Sequence, residues 1–459
     1  MTVLTLAFGQ IRLRPAAFVG LAAALFLAVG AVTLFGELMA AALTAPAGRE
    51  RAAAGPGLGL IAGAFGEIAV LVAFFVVVNT LGFAVRQQHR ELALLRTVAA
   101  TPGQVRRLVR RQVLAMVLLV SPPGCAAGAV GAGWFLDALL ARGMAAPGST
   151  IPRSPVPMLV AVAASVGVGL LSAAFAAHRI SRIAPAAAMT ASTVEHGRTG
   201  LLRVVGGLIV LTGGGMLCRL VATQPPEKAG QAALLTALVM LVAVALLGPL
   251  LAGPLVVVLG APIRAVARRS GWLADANLRG YTNRLAAAVT PVALLVGLSC
   301  TMVFMTSTVE RAAQRLRGTS LTTVTSASDV WLRQAELAML VCFAAVSTVN
   351  TLAALTADRR REFALLGLVG ATRRQLVRML CTETLLIAAV GVALGTAVAG
   401  IVGGAFNLTV TGSALPSVPL GDYAWIALGA AALIAPGILC TGLRATSGPA
   451  TELVGGQRG

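Results

Sequence analysis

The residues that could carry out chemistry in this chain are few and are scattered rather than clustered. Lys228 is the only lysine, and it follows two prolines and a glutamate rather than a glycine-rich loop. A Walker A loop needs a lysine on the nucleotide phosphates, so the chain lacks that kind of site. The three histidines, His89, His178 and His196, occur singly, and neither HExxH nor GxSxG occurs. The sequence therefore predicts no catalytic, metal or cofactor site on this chain.

The elements that must position any functional residue are predicted to be membrane-spanning helices. The sequence is 58% hydrophobic and 11% charged, with a mean hydropathy of +0.89, whereas about a quarter of the residues in a soluble domain are charged. A spanning helix needs roughly 20 apolar residues. Eight runs meet this requirement, and two weaker runs, 68–85 and 204–218, are shorter. The run at 204–218 can span only if Arg203 and Arg219 extend towards the membrane surface. The eight runs are 15–36, 112–136, 154–177, 229–263, 285–309, 337–357, 384–421 and 423–443. The predicted fold is an all-α polytopic membrane protein with about ten transmembrane helices.

The basic residues predict the orientation of these helices. With the N-terminus in the cytoplasm and ten crossings, 26 of the 36 lysines and arginines fall in cytoplasmic segments, including both termini. Such an excess is typical of cytoplasmic loops in membrane proteins. The net charge of +20 therefore reports orientation, and nucleic acid is not an expected partner.

Acidic residues and cysteines give little support to other membrane activities. Glu37, Glu67, Asp137 and Asp422 are expected near the outer ends of helices as solvated carboxylates, while Glu383 begins the ninth helix after a cytoplasmic loop. A proton relay needs carboxylates in the middle of the membrane, so an ion-coupled carrier is disfavoured. The six cysteines have no CxxC or metal-ligand spacing and are interpreted as small core residues.

The chain contains an internal duplication. Residues 79–104 and 350–375, offset by 271, share 12 identical positions. Later landmarks, such as the prolines at 152 and 416, keep an offset of 264. We therefore predict two four-helix modules, 1–190 and 266–459, joined by a linker with two helices at 191–265.

The duplicated segment predicts a short helix, a sharp break and a new helix. In RELALLRTVAATPGQ (90–104), Glu91 lies at a predicted helix start, where a carboxylate favours the helix dipole. Leu94, Leu95 and Val98 form one apolar face. Thr101 is then a natural N-cap and Gln104 completes a capping box. The second copy repeats this box with Thr372 and Gln375.

Two matched amides accompany the duplicated segment. Asn79 and Asn350 lie near the cytoplasmic ends of the second and eighth predicted helices. Because an amide in lipid must find a hydrogen-bond partner, we expect both to tie helices together rather than to contact a substrate.

The duplicated residues resemble the cytoplasmic signature of FtsX-like (MacB-like) ABC permeases, commonly written E-x-ALL-R-x-x-GAT-x-x-Q. Asn277-Leu278-Arg279 before the seventh helix and the segment 179–186 after the fourth are also similar to that family. The resemblance implies that each signature forms a coupling helix that docks on a cytoplasmic ABC ATPase, with two ATPase copies per permease. ATP and Mg would be bound by the ATPase, not by this chain. The residues implied at or behind the contacts are Arg90, Glu91, Leu94, Leu95, Arg96, Thr101, Arg361, Glu362, Leu365, Leu366 and Thr372.

The resemblance also has departures that bear on function. Arg96 is matched by Gly367, and the glycine of GAT is Ala99 in the first copy, so the two contacts are expected to be unequal. Outer connections at 37–66 and 307–333 are short and imply minimal extracytoplasmic domains. The resemblance implies a permease of a bacterial inner membrane that exports or extracts an amphipathic molecule such as a lipid, peptide or antibiotic. The alternative is a mechanotransmitter that regulates an external hydrolase, a lipoprotein or a sensor kinase without transport.

Overall fold

A computed structural model describes residues 15–45, 57–87, 101–152, 154–181, 201–266, 274–278, 280–316, 327–357 and 360–445. The regular structure within these ranges is entirely helical. A short helical segment at 274–278 precedes the seventh long helix. The main helices in chain order are α1 (Pro15–Thr44), α2 (Leu58–Gln87), α3 (Pro102–Ala141), α4 (Val156–Ser181), α5 (Leu201–Thr223), α6 (Pro226–Val266), α7 (Thr282–Leu316), α8 (Ala327–Ala357), α9 (Arg360–Leu368), α10 (Arg373–Thr411) and α11 (Leu420–Ala445).

The predicted all-α polytopic membrane fold is confirmed. Within the described ranges, nine helices, α1 to α8 and α10, are long and apolar enough to cross a membrane. The weakest prediction, α5, is among them with 23 residues. The tenth predicted span, α11, is a 26-residue helix whose described apolar segment, Leu420–Ala435, is shorter.

Packing divides the chain into two compact units. The first unit comprises residues 1–193 together with 325–347, so it holds α1 to α4 and the first part of α8. The second comprises residues 194–324 and 348–459, and holds α5 to α7, the end of α8, and α9 to α11.

The first unit has an aromatic core at one end of its helices. The rings of Phe35, Phe65 and Phe135 lie 5.5 to 6.1 Å apart, and Trp331 lies 5.4 Å from Phe135. The Arg142 guanidinium covers the Trp331 ring at 4.2 Å, which is within the range of a cation–π interaction. This cluster joins α1, α2, α3 and the start of α8.

The second unit is built around α7, whose apolar segment is almost completely buried. Small residues allow neighbouring helices to approach it closely, as membrane helices do where little hydrophobic force drives their association. A Cβ on Gly391 would lie 2.5 Å from a methyl group of Val292, and one on Gly248 would lie 2.9 Å from the Ala286 Cβ. Glycine at these positions sets the distance from α7 to α10 and to α6.

The sequence suggested that Arg203 extends towards the membrane surface. In the structure its side chain instead joins α5 to α6. Its Nη2 and Nε donate hydrogen bonds to the carbonyl oxygens of Ala245 and Leu246, at 2.9 and 3.0 Å. Pro249 lies four residues after Ala245 and has no N–H, so it leaves that carbonyl without its helical donor. Arginine supplies the missing donor, which explains how a charged side chain is accommodated near the start of a spanning helix. Arg219, by contrast, is exposed.

Candidate functional site

The second copy of the duplicated segment forms the predicted helix, break and helix. The nine-residue α9 has Glu362 in its first turn. It ends at Leu368, two residues before Gly370, whose φ is 93°, a left-handed conformation that favours glycine. The Ala371 N–H donates to the Leu366 carbonyl at 2.9 Å and the Gly370 N–H donates to the Gly367 carbonyl at 3.0 Å. These two bonds form a Schellman motif, which fixes where α9 stops.

Both capping boxes predicted from the sequence are confirmed. The Thr372 Oγ1 accepts from the Gln375 N–H at 3.4 Å, and the Gln375 Oε1 accepts from the Thr372 N–H at 2.9 Å. In the first copy the corresponding distances for Thr101 and Gln104 are 3.3 and 2.8 Å. Each box starts a helix, α10 of 39 residues or α3 of 40, that continues into a candidate membrane span. Each box is therefore continuous with a candidate spanning helix.

The cap should contribute measurably to the start of α10. Replacing Thr372 with alanine is expected to destabilise the first turn by about 1 kcal/mol, because the Gln375 N–H loses its acceptor. Hydrogen exchange of the backbone amides at 373–376 should then be faster, and serine at position 372 should restore protection. Thr212→Ala is the matched control, since the Thr212 hydroxyl bonds only the Ile209 carbonyl of its own helix. Equal exchange in Thr372→Ala and the wild type would contradict a role for the cap.

The apolar face of α9 lacks a covering element among the described residues. The exposed fractions of Leu365, Leu368 and Val369 are 47%, 53% and 87%, whereas Phe363 is buried on the opposite side. Leu366 is half-buried. The exposed arginines Arg373, Arg374 and Arg378 follow on α10. An exposed apolar helix face next to exposed arginines is typical of a protein-binding surface.

The remaining candidate residues are distributed as follows. Glu362, Leu365, Leu366 and Thr372 lie in α9 and at the start of α10, and Arg361 lies in α9. Thr101 caps α3. The first-copy residues Arg90, Glu91, Leu94, Leu95 and Arg96 lie outside the described residues. Asn79 and Asn350 are half-buried in α2 and α8, and their role in tying helices together stays a prediction.

Two side-chain links at this site were not found from the sequence. The Arg284 Nη1 and the Glu362 Oε1 form an ion pair at 2.8 Å, whereas the sequence indicated Glu362 only as a residue at or behind the ATPase contact. The Asn277 Nδ2 donates to the Glu383 Oε1 at 2.6 Å. Glu383 is buried, so its carboxylate needs a hydrogen-bond partner. The partner itself lies 106 residues away in the chain and left no local signal.

One expectation about the carboxylates was wrong. Glu37 was expected to be solvated, but it lies within α1 with an exposed fraction of 3%, and its Oε2 has no hydrogen-bond partner among the described residues. The helix continues for seven residues beyond it to Thr44, which places Glu37 below the end of the helix. Glu67, Asp137 and Asp422 are exposed, as predicted.

Comparison with known proteins places the duplicated modules in one family. The family model described as FtsX-like permease C-terminal matches residues 63–185 and 336–445. The first match contains all of α2 except its first five residues and all of α3 and α4, and the second contains most of α8 and all of α9 to α11. The comparison with curated proteins found no match.

Proposed function

Because the chain belongs to the FtsX-like permease family, a family of ABC transporter permeases, we propose that α9 and its counterpart in the first copy dock on a separate cytoplasmic ATPase. The chain is a multi-pass membrane permease. ATP hydrolysis on the partner then drives the permease, with ATP and Mg held by the partner. Two ATPase copies are used, one for each module of a plan with two four-helix modules and a two-helix linker.

The exposed apolar face of α9 is the observation that carries this proposal. A nine-residue helix with two large exposed apolar residues, followed directly by the exposed Val369, gains little from folding alone, and a partner surface that buries them supplies the missing stabilisation. The Schellman motif and the capping box fix the angle between α9 and α10. Docked in this way, α9 acts as a rigid lever, and its displacement moves α10.

The substrate proposed is an amphipathic molecule, such as a lipid, a peptide or an antibiotic, that is exported or extracted from the outer leaflet. The support is chemical. The chain has no Walker A loop and few outer residues with which to bind a soluble ligand, while exposed Trp134 and Trp425 carry the ring type that favours the membrane interface. The membrane is the inner membrane of a bacterium, with both termini in the cytoplasm, as the arginine distribution favours.

Reconstitution in lipid vesicles tests the transport proposal. The chain is purified with the ATPase that accompanies it, and the movement of a fluorescent phospholipid or a labelled amphipathic peptide is measured with ATP and with a non-hydrolysable analogue. Movement only during hydrolysis supports export or extraction. Hydrolysis that moves neither probe, but changes the activity of a bound kinase, lipoprotein or hydrolase, supports mechanotransmission instead.

A further inference from the structure

We define the second lever as α9 together with the start of α10, up to Glu383. Two polar links connect this lever to α7. One starts at the first turns of α7, and the other starts at the short segment that precedes it. We call the four residues that form these links, Asn277, Arg284, Glu362 and Glu383, the brace. All four belong to the second unit. The links are positioned to prevent the second lever from moving independently of α7.

The first link joins α7 to α9. The Arg284 Nη1 lies 2.8 Å from the Glu362 Oε1, and the Arg284 side chain is largely buried with an exposed fraction of 17%. The Arg284 guanidinium also lies 5.2 Å from the centre of the Tyr281 ring, which limits its alternative positions. A partly buried, charge-assisted hydrogen bond of this length is stronger than an ordinary surface ion pair.

The second link joins the short helix at 274–278 to α10. The Asn277 Nδ2 donates to the Glu383 Oε1 at 2.6 Å, and Glu383 is almost fully buried. Breaking this bond would leave a buried carboxylate without one of its donors, which is costly. In the first copy the position of Glu383 is occupied by Gln112, which is also buried but carries no charge.

The outer end of α7 is tied to the connection between α10 and α11. The Ser307 Oγ lies 2.6 Å from both the carbonyl oxygen and the Oγ of Ser417. The Asn407 amide of α10 donates to the carbonyls of Ser413 and Leu415 in the same connection. Ser307 follows Arg284 by 23 residues on α7, so the brace and this connection lie about 35 Å apart along the helix at the usual rise per residue.

We propose that Arg284 is a positioning residue that makes α7 and the second lever move as one body, so that motion of α9 reaches the connection at 412–419 through α7 as well as through α10. The proposal rests on the function proposed above, because α9 must be driven by an ATPase. Helix α7 is suited to this role, since it is buried on nearly all sides of its apolar segment and cannot bend away from its neighbours without disturbing the core of the unit.

Exchange of the charges of the first link tests the proposal. Arg284→Glu, Glu362→Arg and the double variant R284E/E362R are made in the full chain, with Glu67→Arg as a control. Glu67 is an exposed carboxylate of α2. Hydrogen exchange of the α9 backbone amides in the purified chain should rise about threefold to fivefold in each single variant. It should return to the wild-type rate in the double variant and stay unchanged in the control.

A kinetic measurement separates positioning from a merely structural contribution. With the ATPase that co-purifies with the tagged chain, Arg284→Glu should lower the kcat of stimulated ATP hydrolysis while the KM for ATP and the recovery of ATPase stay unchanged. Glu362→Arg should also lower kcat. The double variant should regain kcat. Two results would contradict the proposal that Arg284 positions the second lever. One is wild-type hydrogen exchange of α9 and wild-type kcat in both single variants. The other is a loss of kcat that the double variant does not restore although its thermal stability is normal. If no ATPase accompanies the wild-type chain, the proposed function fails. Hydrogen exchange of the α9 backbone amides still shows whether the ion pair of Arg284 stabilises α9.

Discussion

Replacing Leu365 with aspartate is expected to lower recovery of the ATPase with the tagged permease sharply. Leu365 is nearly half exposed on the face of α9 that has no described covering element, so the substitution leaves the packing of the permease largely intact. In the complex, the carboxylate would be buried against an apolar partner surface without a compensating charge. Such a change at the centre of an interface costs about 2 kcal/mol or more, roughly a thirtyfold loss of affinity. Pull-down of the ATPase and stimulated ATP hydrolysis measure it.

Leu415→Asp provides the matched control for this prediction. Leu415 is 80% exposed in the connection between α10 and α11, so the substitution is chemically identical but lies at the opposite end of α10. ATPase recovery should be unchanged in this variant. Since the sequence predicts a second apolar face at Leu94, Leu95 and Val98 in the first copy, the double variant Leu94→Asp/Leu365→Asp should show the complete loss. Wild-type recovery and turnover in that double variant would contradict docking through the levers.

The second large effect is expected in the core of the second unit, where Gly395→Ala should destabilise the packing of α10 on α7. A Cβ at this position would lie 2.8 Å from both the Ala293 carbonyl oxygen and the Gly297 nitrogen. Both are backbone atoms, so relief requires the two helices to separate. Overpacking of this kind costs about 1–3 kcal/mol and exceeds the gain of about 1 kcal/mol from replacing glycine in a helix. Thermal unfolding of the purified chain should show a lower Tm.

Gly400→Ala is the control, on the same helix and with the same change. No atom lies within 4 Å of a Cβ at Gly400, so only the gain in helix propensity remains, and the Tm should stay equal or rise. If the two variants have the same Tm, the close approach of α7 and α10 at Gly395 does not contribute to the stability of the second unit.

Features that depend on local sequence were predicted correctly. A spanning helix depends on its own apolar length, and a capping box depends on two residues three positions apart, so Thr372 and Gln375 were sufficient to indicate where α10 begins. The break before it is similarly local, since Gly370 supplies the positive φ. Ala99 occupies the matching position in the first copy, where a left-handed conformation costs about 1–2 kcal/mol.

Features that depend on tertiary packing were not predictable from the sequence. Glu362 was correctly placed in the first turn of a helix, but its partner Arg284 is 78 residues earlier in the chain, and several nearby arginines were equally plausible partners. Glu37 follows an apolar run and was therefore expected at the membrane surface, whereas α1 extends past it and neighbouring helices cover it. Hydropathy locates the end of an apolar run, but not the end of the helix that contains it.

The location of the two signatures on the membrane tests the account most directly. Cysteine is introduced at Arg90 or Arg361 in a chain whose six native cysteines have been replaced, and intact cells are treated with a membrane-impermeant thiol reagent before and after permeabilisation. Both cysteines should react only after permeabilisation, whereas a cysteine at the exposed Ser413 in the outer connection should react in intact cells. Reaction of the cysteines at positions 90 and 361 from opposite sides of the membrane would contradict two levers facing one cytoplasmic ATPase.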